Sequence, residues 1–191
     1  LNNTEIEKCS ANMKVTYQNT FTYISEAGFV ETNNGTIKNA YAKTQTATVL
    51  AHGNSIFAGF VSYNYGGIDH CYTAGNMIVG AALTGKGGFV GHNNGNINAC
   101  FADVSITATD ATKCGPFVGN VDTASCITNC HYSIKATFTV NGKPFTIETA
   151  YATVGDPVLQ FANTEFLANT LGWSADVWAF DANQLSYPTL K

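Results

Sequence analysis

The feature that most constrains this chain is an internal repeat. AGFVETNNGTIKNAYAKTQTATV begins at Ala27, AGFVSYNYGGIDHCYTAGNMIV at Ala58, GGFVGHNNGNINACFADVSITA at Gly87 and GPFVGNVDTASCITNCHYS at Gly115. Phe29, Phe60, Phe89 and Phe117 hold the same place in each, so successive units are offset by 31, 29 and 28 residues. A period near that length is one supersecondary unit. It cannot bury its apolar side alone and becomes stable when copies stack.

Inside each unit the order recurs: a Phe-Val strand, an Asn/Gly corner, an isoleucine (Ile37, Ile68, Ile97 or Ile127), an aromatic-bearing strand and an alternating β-branched strand. Asn34-Gly35, Gly66-Gly67 and Asn94-Gly95 suit positive φ at a sharp corner. No helical periodicity appears between 27 and 132, so strands are expected throughout. Stacked copies would add their strands to parallel sheets about 4.8 Å apart. The expected fold is all-β, a parallel β-solenoid (β-helix) of about four coils. Cys71, Cys100 and Cys130 share one repeat position and would form a buried thiol ladder. On an unbroken strand Ile97 and Phe101 share a face and Cys100 points away. Either the strand bends there, or the cysteines and aromatics pack on different sides.

GGFVGHNNGNINACFADVSI closely resembles the GLUG motif, of general form Gly-Gly-Leu-Val-Gly-x-Asn-x-Gly-x-Ile-x-Asn-Cys-Tyr. That motif occurs in tandem in bacterial surface proteins and adhesins and in non-catalytic parts of IgA-specific metallopeptidases. Gly88, Phe89, Val90, Gly91, Asn93, Gly95, Ile97, Cys100 and Phe101 match or conservatively replace it. The first unit has Ala40 in place of the cysteine, and the fourth departs most, with Pro116 and two extra residues before Cys126. The resemblance covers residues 27–133 and implies a surface module, not a chemistry.

The chain divides into three parts. Residues 1–26 read as an N-terminal cap or degenerate coil, with Val15, Tyr17, Phe21 and Tyr23 spaced like a half-buried strand. Residues 27–133 are the repeats. Residues 134–191 are a C-terminal cap, with a hairpin at Asn141-Gly142 and one or two short helices ending at Gly172. Trp173 and Trp178 are expected to cover the apolar end of the last coil.

Charged residues are 12%, the formal net charge is −4, and the nine basic residues are all lysines scattered singly. Nucleic acid is a poor partner for such a surface. No apolar run approaches the ~20 residues that span a bilayer, so no membrane insertion by this region is expected. Six cysteines in a sparsely charged chain suggest an oxidising, extracellular or cell-surface setting. Cys114 and Cys126 lie outside the ladder position, flank the irregular start of the fourth unit and are the candidate disulfide.

Each chemical motif has a plainer reading. Gly80, Gly85 and Lys86 have phosphate-loop spacing, yet Gly87 follows the lysine where a Ser or Thr should hold magnesium. His70 and His131 stand beside ladder cysteines, but stacked equivalents form a row and do not converge on a tetrahedron. Asp69 and Asp103 fall at different offsets in neighbouring units, and His52, His70, His92 and His131 suggest no dyad. Thr44, Thr46 and Thr48 would begin an ice-binding row that later units do not sustain. Asn2 and Asn34 head glycosylation sequons, relevant only in a eukaryotic secretory pathway.

No catalytic, cofactor or metal residue is therefore expected. The reading is a non-enzymatic extracellular module for adhesion or ligand display. Its partner would be a host or matrix protein, a glycan, or copies of itself, bound by a side wall or by the variable loops 50–57, 80–87 and 109–115. The alternatives are a structural spacer or self-assembling subunit and, behind it, a glycan-active β-helix enzyme.

Overall fold

Each repeat becomes one coil of four strands. The computed structural model describes residues 1–17, 25–48, 53–80, 84–122, 126–146 and 151–191. Four parallel walls result. The first holds Ser25–Ala27, Ile56–Ala58, Gly85–Gly87 and Cys114–Gly115; the second holds Val30–Asn33, Val61–Asn64, Val90–Asn93 and Val118–Val121. The third holds Glu5–Glu7, Thr36–Lys38, Gly67–Asp69, Asn96–Asn98 and Ile127–Thr128; the fourth holds the long strands Ser10–Tyr17, Tyr41–Thr48, Tyr72–Val79 and Phe101–Ala108, then His131–Ser133. The chain is a β-solenoid of about four turns.

Register follows the repeat. Val30, Val61, Val90 and Val118 are successive partners, as are Ile37, Ile68, Ile97 and Ile127. Residues 2–17 continue the same register, with Asn2 bridging Asn33 and Ile6 paired to Ile37. They form a coil in their own right, whose sequence kept little of the pattern beyond Asn2, Ile6 and Cys9. Phe21 and Tyr23 lie outside the described residues.

The chain turns between the third and fourth walls, where Lys8, Asn39, His70, Ala99 and Asn129 all have φ between 51° and 54°. This left-handed residue reverses side-chain parity. Ile97 and Cys100 therefore both face the interior, while Phe101 faces out. The bend and the separation of cysteines from aromatics are both present. The Asn-Gly corners, in contrast, need no positive φ: Gly35, Gly66 and Gly95 are required because a Cβ on each would collide with the carbonyl oxygen of Thr4, Gly35 or Gly66 in the preceding coil.

Two interior compartments form. One holds the phenylalanine, valine, isoleucine and cysteine columns, with Phe60, Phe89 and Phe117 fully buried and Phe29 and Ile127 partly so. The phenylalanine rings stack at 4.8, 4.8 and 4.9 Å. Asn2, Asn33, Asn64 and Asn93 run beside them, each amide donating to the next at 2.8, 2.8 and 2.7 Å. The other compartment, between the first wall and the far half of the fourth, holds Phe57, Met77, Val79, Val104, Ile106 and Ala108.

The tryptophans do not sit on the apolar end of the last coil as expected. The last coil is continued by Phe138–Val140 paired to Ile106–Ala108, and by Thr153–Gly155 paired to His131–Ser133. The hairpin at Asn141 (φ 49°) and Gly142 (φ 74°) joins Phe138–Val140 to Lys143–Pro144, as the Asn-Gly pair implies. Two short helical turns, Pro157–Phe161 and Phe166–Thr170, follow. The chain then runs back along the outside of the fourth wall. There Phe161 and Trp173 stack on Phe101 at 4.5 and 5.5 Å, and Trp178 lies 6.0 Å from Tyr72 and 6.3 Å from Tyr41. The tryptophans thus cover a side wall, because the reversal at Ala99 and its equivalents leaves an aromatic column facing outward.

Candidate functional site: an aromatic and polar strip on the second wall

The cysteine ladder lies inside the solenoid. Cys71, Cys100 and Cys130 are buried, and each thiol donates to the carbonyl oxygen two residues before it, at 3.1, 3.0 and 3.1 Å. Burial, followed by the neighbouring Cys130 and Cys71, pushes the Cys100 thiol well above its ordinary range. A thiol that stays protonated is neither nucleophile nor metal ligand. Among the described residues no three His, Cys, Asp or Glu side chains gather as a metal site.

The expected bridge between Cys114 and Cys126 is not formed, and all six cysteines are free thiols. Cys114 belongs to the first wall and packs against the second interior compartment, whereas Cys126 is exposed at the start of the third wall. The second wall separates them. Burial pushes the Cys114 thiol up to about 11.

Lys86 is no phosphate ligand. It lies fully buried in Gly85–Gly87, with Nζ 2.9 Å from Asp110 Oδ1. Asp69 and Asp103 are tied to different partners. Asp69 accepts from Asn98 at 2.8 Å and lies 2.7 Å from His70 Nδ1, while Asp103 accepts from Tyr187. His131 packs edge-on to Phe161 and Phe166. Thr44 is buried and donates to Gly59 O, so it starts no surface row. Of the sequons, Asn2 is consumed in the asparagine ladder, and Asn34 is exposed and donates to Asn3 Oδ1.

Of the three loops expected to recognise a partner, 50–52 and 81–83 lie outside the described residues. Ile56–Phe57 and Gly85–Gly87 are buried strand, not loop. Residues 109–113 form a true loop beside a cleft of about 350 Å³ lined by Ala111, Lys113, Cys114, Gly119, Asn120, Phe145 and Tyr151.

That cleft opens at the end of a strip that sequence reading passed over. Coil stacking puts Tyr63, His92 and Asn120 in one row on the second wall. Tyr65, 49% exposed, lies beside Tyr63 with centroids 6.3 Å apart and planes within 2°. His92 is 5.9 Å from the Tyr63 ring. Its Nε2 lies 2.8 Å from Asp122 Oδ2, and the Asn120 amide donates to its Nδ1 at 3.3 Å. With Nδ1 accepting, the ring proton sits on Nε2 and points at Asp122. Burial, then the neighbouring Tyr65 and Glu31 charges, raises the Tyr63 hydroxyl despite a hydrogen bond with Thr84, so it remains a neutral donor. The only hint in the sequence was an aromatic at 63 where other units carry Thr32, His92 or Asn120. The strip thus sets two parallel rings beside amide, imidazole and carboxylate groups held by hydrogen bonds.

No family model matches the chain, and no curated protein matches it. Among solved structures, the fold is similar to that of a "putative immunoglobulin A1 protease" from Bacteroides ovatus, with a TM-score of 0.69 at 19% identity. That likeness covers 98% of this chain and 57% of the other, so this chain spans little more than half the length of the protein it matches, and what the two share is the fold.

Proposed function

We propose that this chain is a non-enzymatic extracellular or cell-surface module for adhesion or ligand display, whose β-solenoid presents the strip from Tyr65 to Asn120 to a glycan. The observation that carries this reading is the parallel pair Tyr63 and Tyr65 next to the His92–Asp122–Asn120 hydrogen-bond group. Sugar rings offer C–H faces to aromatic planes and hydroxyls to such polar groups. The GLUG-like repeats, resembling those of bacterial surface proteins, support the same compartment. So does a fold shared with a protein described as acting on an antibody, although that protein's activity is not carried over. Glycan-array binding followed by titration calorimetry tests the proposal. Tyr65→Ala is expected to weaken binding at least ~10-fold, the scale of one lost aromatic contact. Unchanged affinity in Tyr65→Ala and Asn120→Ala would remove the strip as the site.

One observation favours the spacer or self-assembly reading. Ser10–Tyr17 is the outermost strand of the fourth wall, and its outer edge is unpaired among the described residues. Such an edge accepts a further strand. Electron microscopy and size exclusion decide it: filaments support assembly, and a clean monomer at high concentration opposes it.

A further inference from the structure

We propose that Lys86 and Asp110 condense to an intramolecular amide, an isopeptide cross-link inside the solenoid. Lys86 is a fully buried amine on the first wall, with Phe57 and Cys114 as its cross-strand neighbours and the buried Glu26 one strand beyond Phe57. Its Nζ lies 2.9 Å from Asp110 Oδ1, and that same oxygen accepts the Thr112 backbone N–H at 2.8 Å. Asp110 Oδ2 is buried and has no hydrogen-bond partner. Burial acts to raise the Asp110 carboxyl, but the Lys86 bond and charge and the Thr112 N–H outweigh it and hold it below its ordinary value. The resting state is thus a salt bridge with one partner fully desolvated, an arrangement whose desolvation cost rivals its attraction.

The geometry supplies what condensation needs. After proton transfer within the pair, Nζ adds to the Asp110 carboxyl carbon. The Thr112 N–H is already aimed at Oδ1, where negative charge develops. Oδ2 then leaves as water with two of the three ammonium hydrogens, and the third stays on the amide nitrogen. Nothing is oxidised or reduced. Holding amine and carboxyl in contact replaces a bimolecular encounter, which in well-oriented pairs is worth effective molarities on the order of 10⁵ M or more. The product exchanges two charges for a neutral amide. It also ties the first wall of the third coil to the loop leaving the fourth wall, 24 residues away. By restricting the unfolded chain it would stabilise as a disulfide does, without needing an oxidising compartment.

Intact-mass measurement of the purified chain, denatured and fully reduced, tests this. The expected mass is lower than the sequence mass by one water, with a branched peptide joining Lys86 to Asp110 after proteolysis. Lys86→Arg keeps the positive charge but cannot acylate in this way, and is expected to return to its full sequence mass. Asp110→Asn is expected to lose ammonia in place of water. A wild-type chain at full sequence mass overturns the proposal and leaves a buried ion pair. So does a mass deficit that persists in Lys86→Arg.

Discussion

Two aromatic columns run along this solenoid at nearly the same spacing, and they are sealed in different ways. Inside, Phe29, Phe60, Phe89 and Phe117 stack at 4.8 to 4.9 Å and are covered by the walls of their own coils. Outside, Tyr41, Tyr72 and Phe101 stack at 4.9 and 4.8 Å, and their covering comes from residues 161–190. The inner column is closed by the repeat itself. The outer one is closed by a strap that has to travel back from the last coil to the first. Repetition fixes the spacing of both columns, and only the strap makes the outer one a core.

The largest expected effect breaks the inner column. Phe89 is stacked on both sides and fully buried, so Phe89→Ala should cost about 4–5 kcal/mol by cavity formation. Because each coil is a template for the next, the loss should appear as a lower urea midpoint for the whole solenoid, read from the strand signal in circular dichroism.

Trp178→Ala tests the outer column. Trp178 packs on Trp173 at 4.4 Å and donates to Asn39 Oδ1 at 3.3 Å, anchoring the strap to the first repeat. The expected cost is about 3 kcal/mol at most, since the strap can release before the coils unfold. Hydrogen exchange would show the difference. Amides of 177–190 should lose protection while those of Val90–Asn93 keep theirs, and a uniform loss would mean strap and coils are one cooperative unit.

These columns differ in how far the sequence revealed them. The inner column was legible because its residues recur at one offset, and the isoleucine and cysteine columns were read the same way. Phe101 was harder. Its parity relative to Ile97 depends on a left-handed residue, and Lys8, Asn39, His70, Ala99 and Asn129 share no side-chain type that announces one. The bend was one of two alternatives that parity left open, and with it undecided the tryptophans were assigned to the coil's end. The strip on the second wall was hidden for a related reason. Tyr63, His92 and Asn120 are equivalent by position but not by chemistry, so neither periodicity nor motif joins them. The Cys114–Cys126 pairing failed because nearness in sequence is not nearness across walls.

A smaller effect separates polar from apolar contributions within the repeat-built interior. Asn64 accepts from Asn33 and donates to Asn93, so Asn64→Ala removes the acceptor of the Asn33 amide and one donor to Asn93 Oδ1, which still accepts the Gly95 N–H at 3.4 Å, with an expected cost of about 2–3 kcal/mol. Asn93, at the end of the ladder, already turns its amide to Gly95 O at 3.0 Å, and its partner in the fourth unit is Val121. Asn93→Ala removes the acceptor of the Asn64 amide and also takes the Asn93 side chain from the Gly95 N–H and C=O, so it should cost as much, about 2–3 kcal/mol. A loss below about 1 kcal/mol in either variant, read from urea midpoints, would deny the ladder a part in holding the coils together.

The smallest expected effect uses pH to act on the strap alone. His131 packs edge-on to Phe166 at 5.2 Å and to Phe161 at 6.4 Å, and its Nδ1 is buried without a hydrogen-bond partner. Burial lowers its pKa, so the folded state resists the charged form more than the unfolded or strap-released state does. The sign follows from proton binding. Above the unfolded value of about 6.5 neither state takes a proton and the contact is at full strength. As pH falls below that value the open state binds protons first, and strap docking weakens until the folded histidine titrates as well. Between pH 7.5 and 5.5, protection of amides 161–171 should therefore fall while that of the inner strands holds, and His131→Phe should remove the dependence. If acid loosened both regions alike, or His131→Phe kept the slope, the pH response would belong to some other group, and the two columns would not be separable by charge.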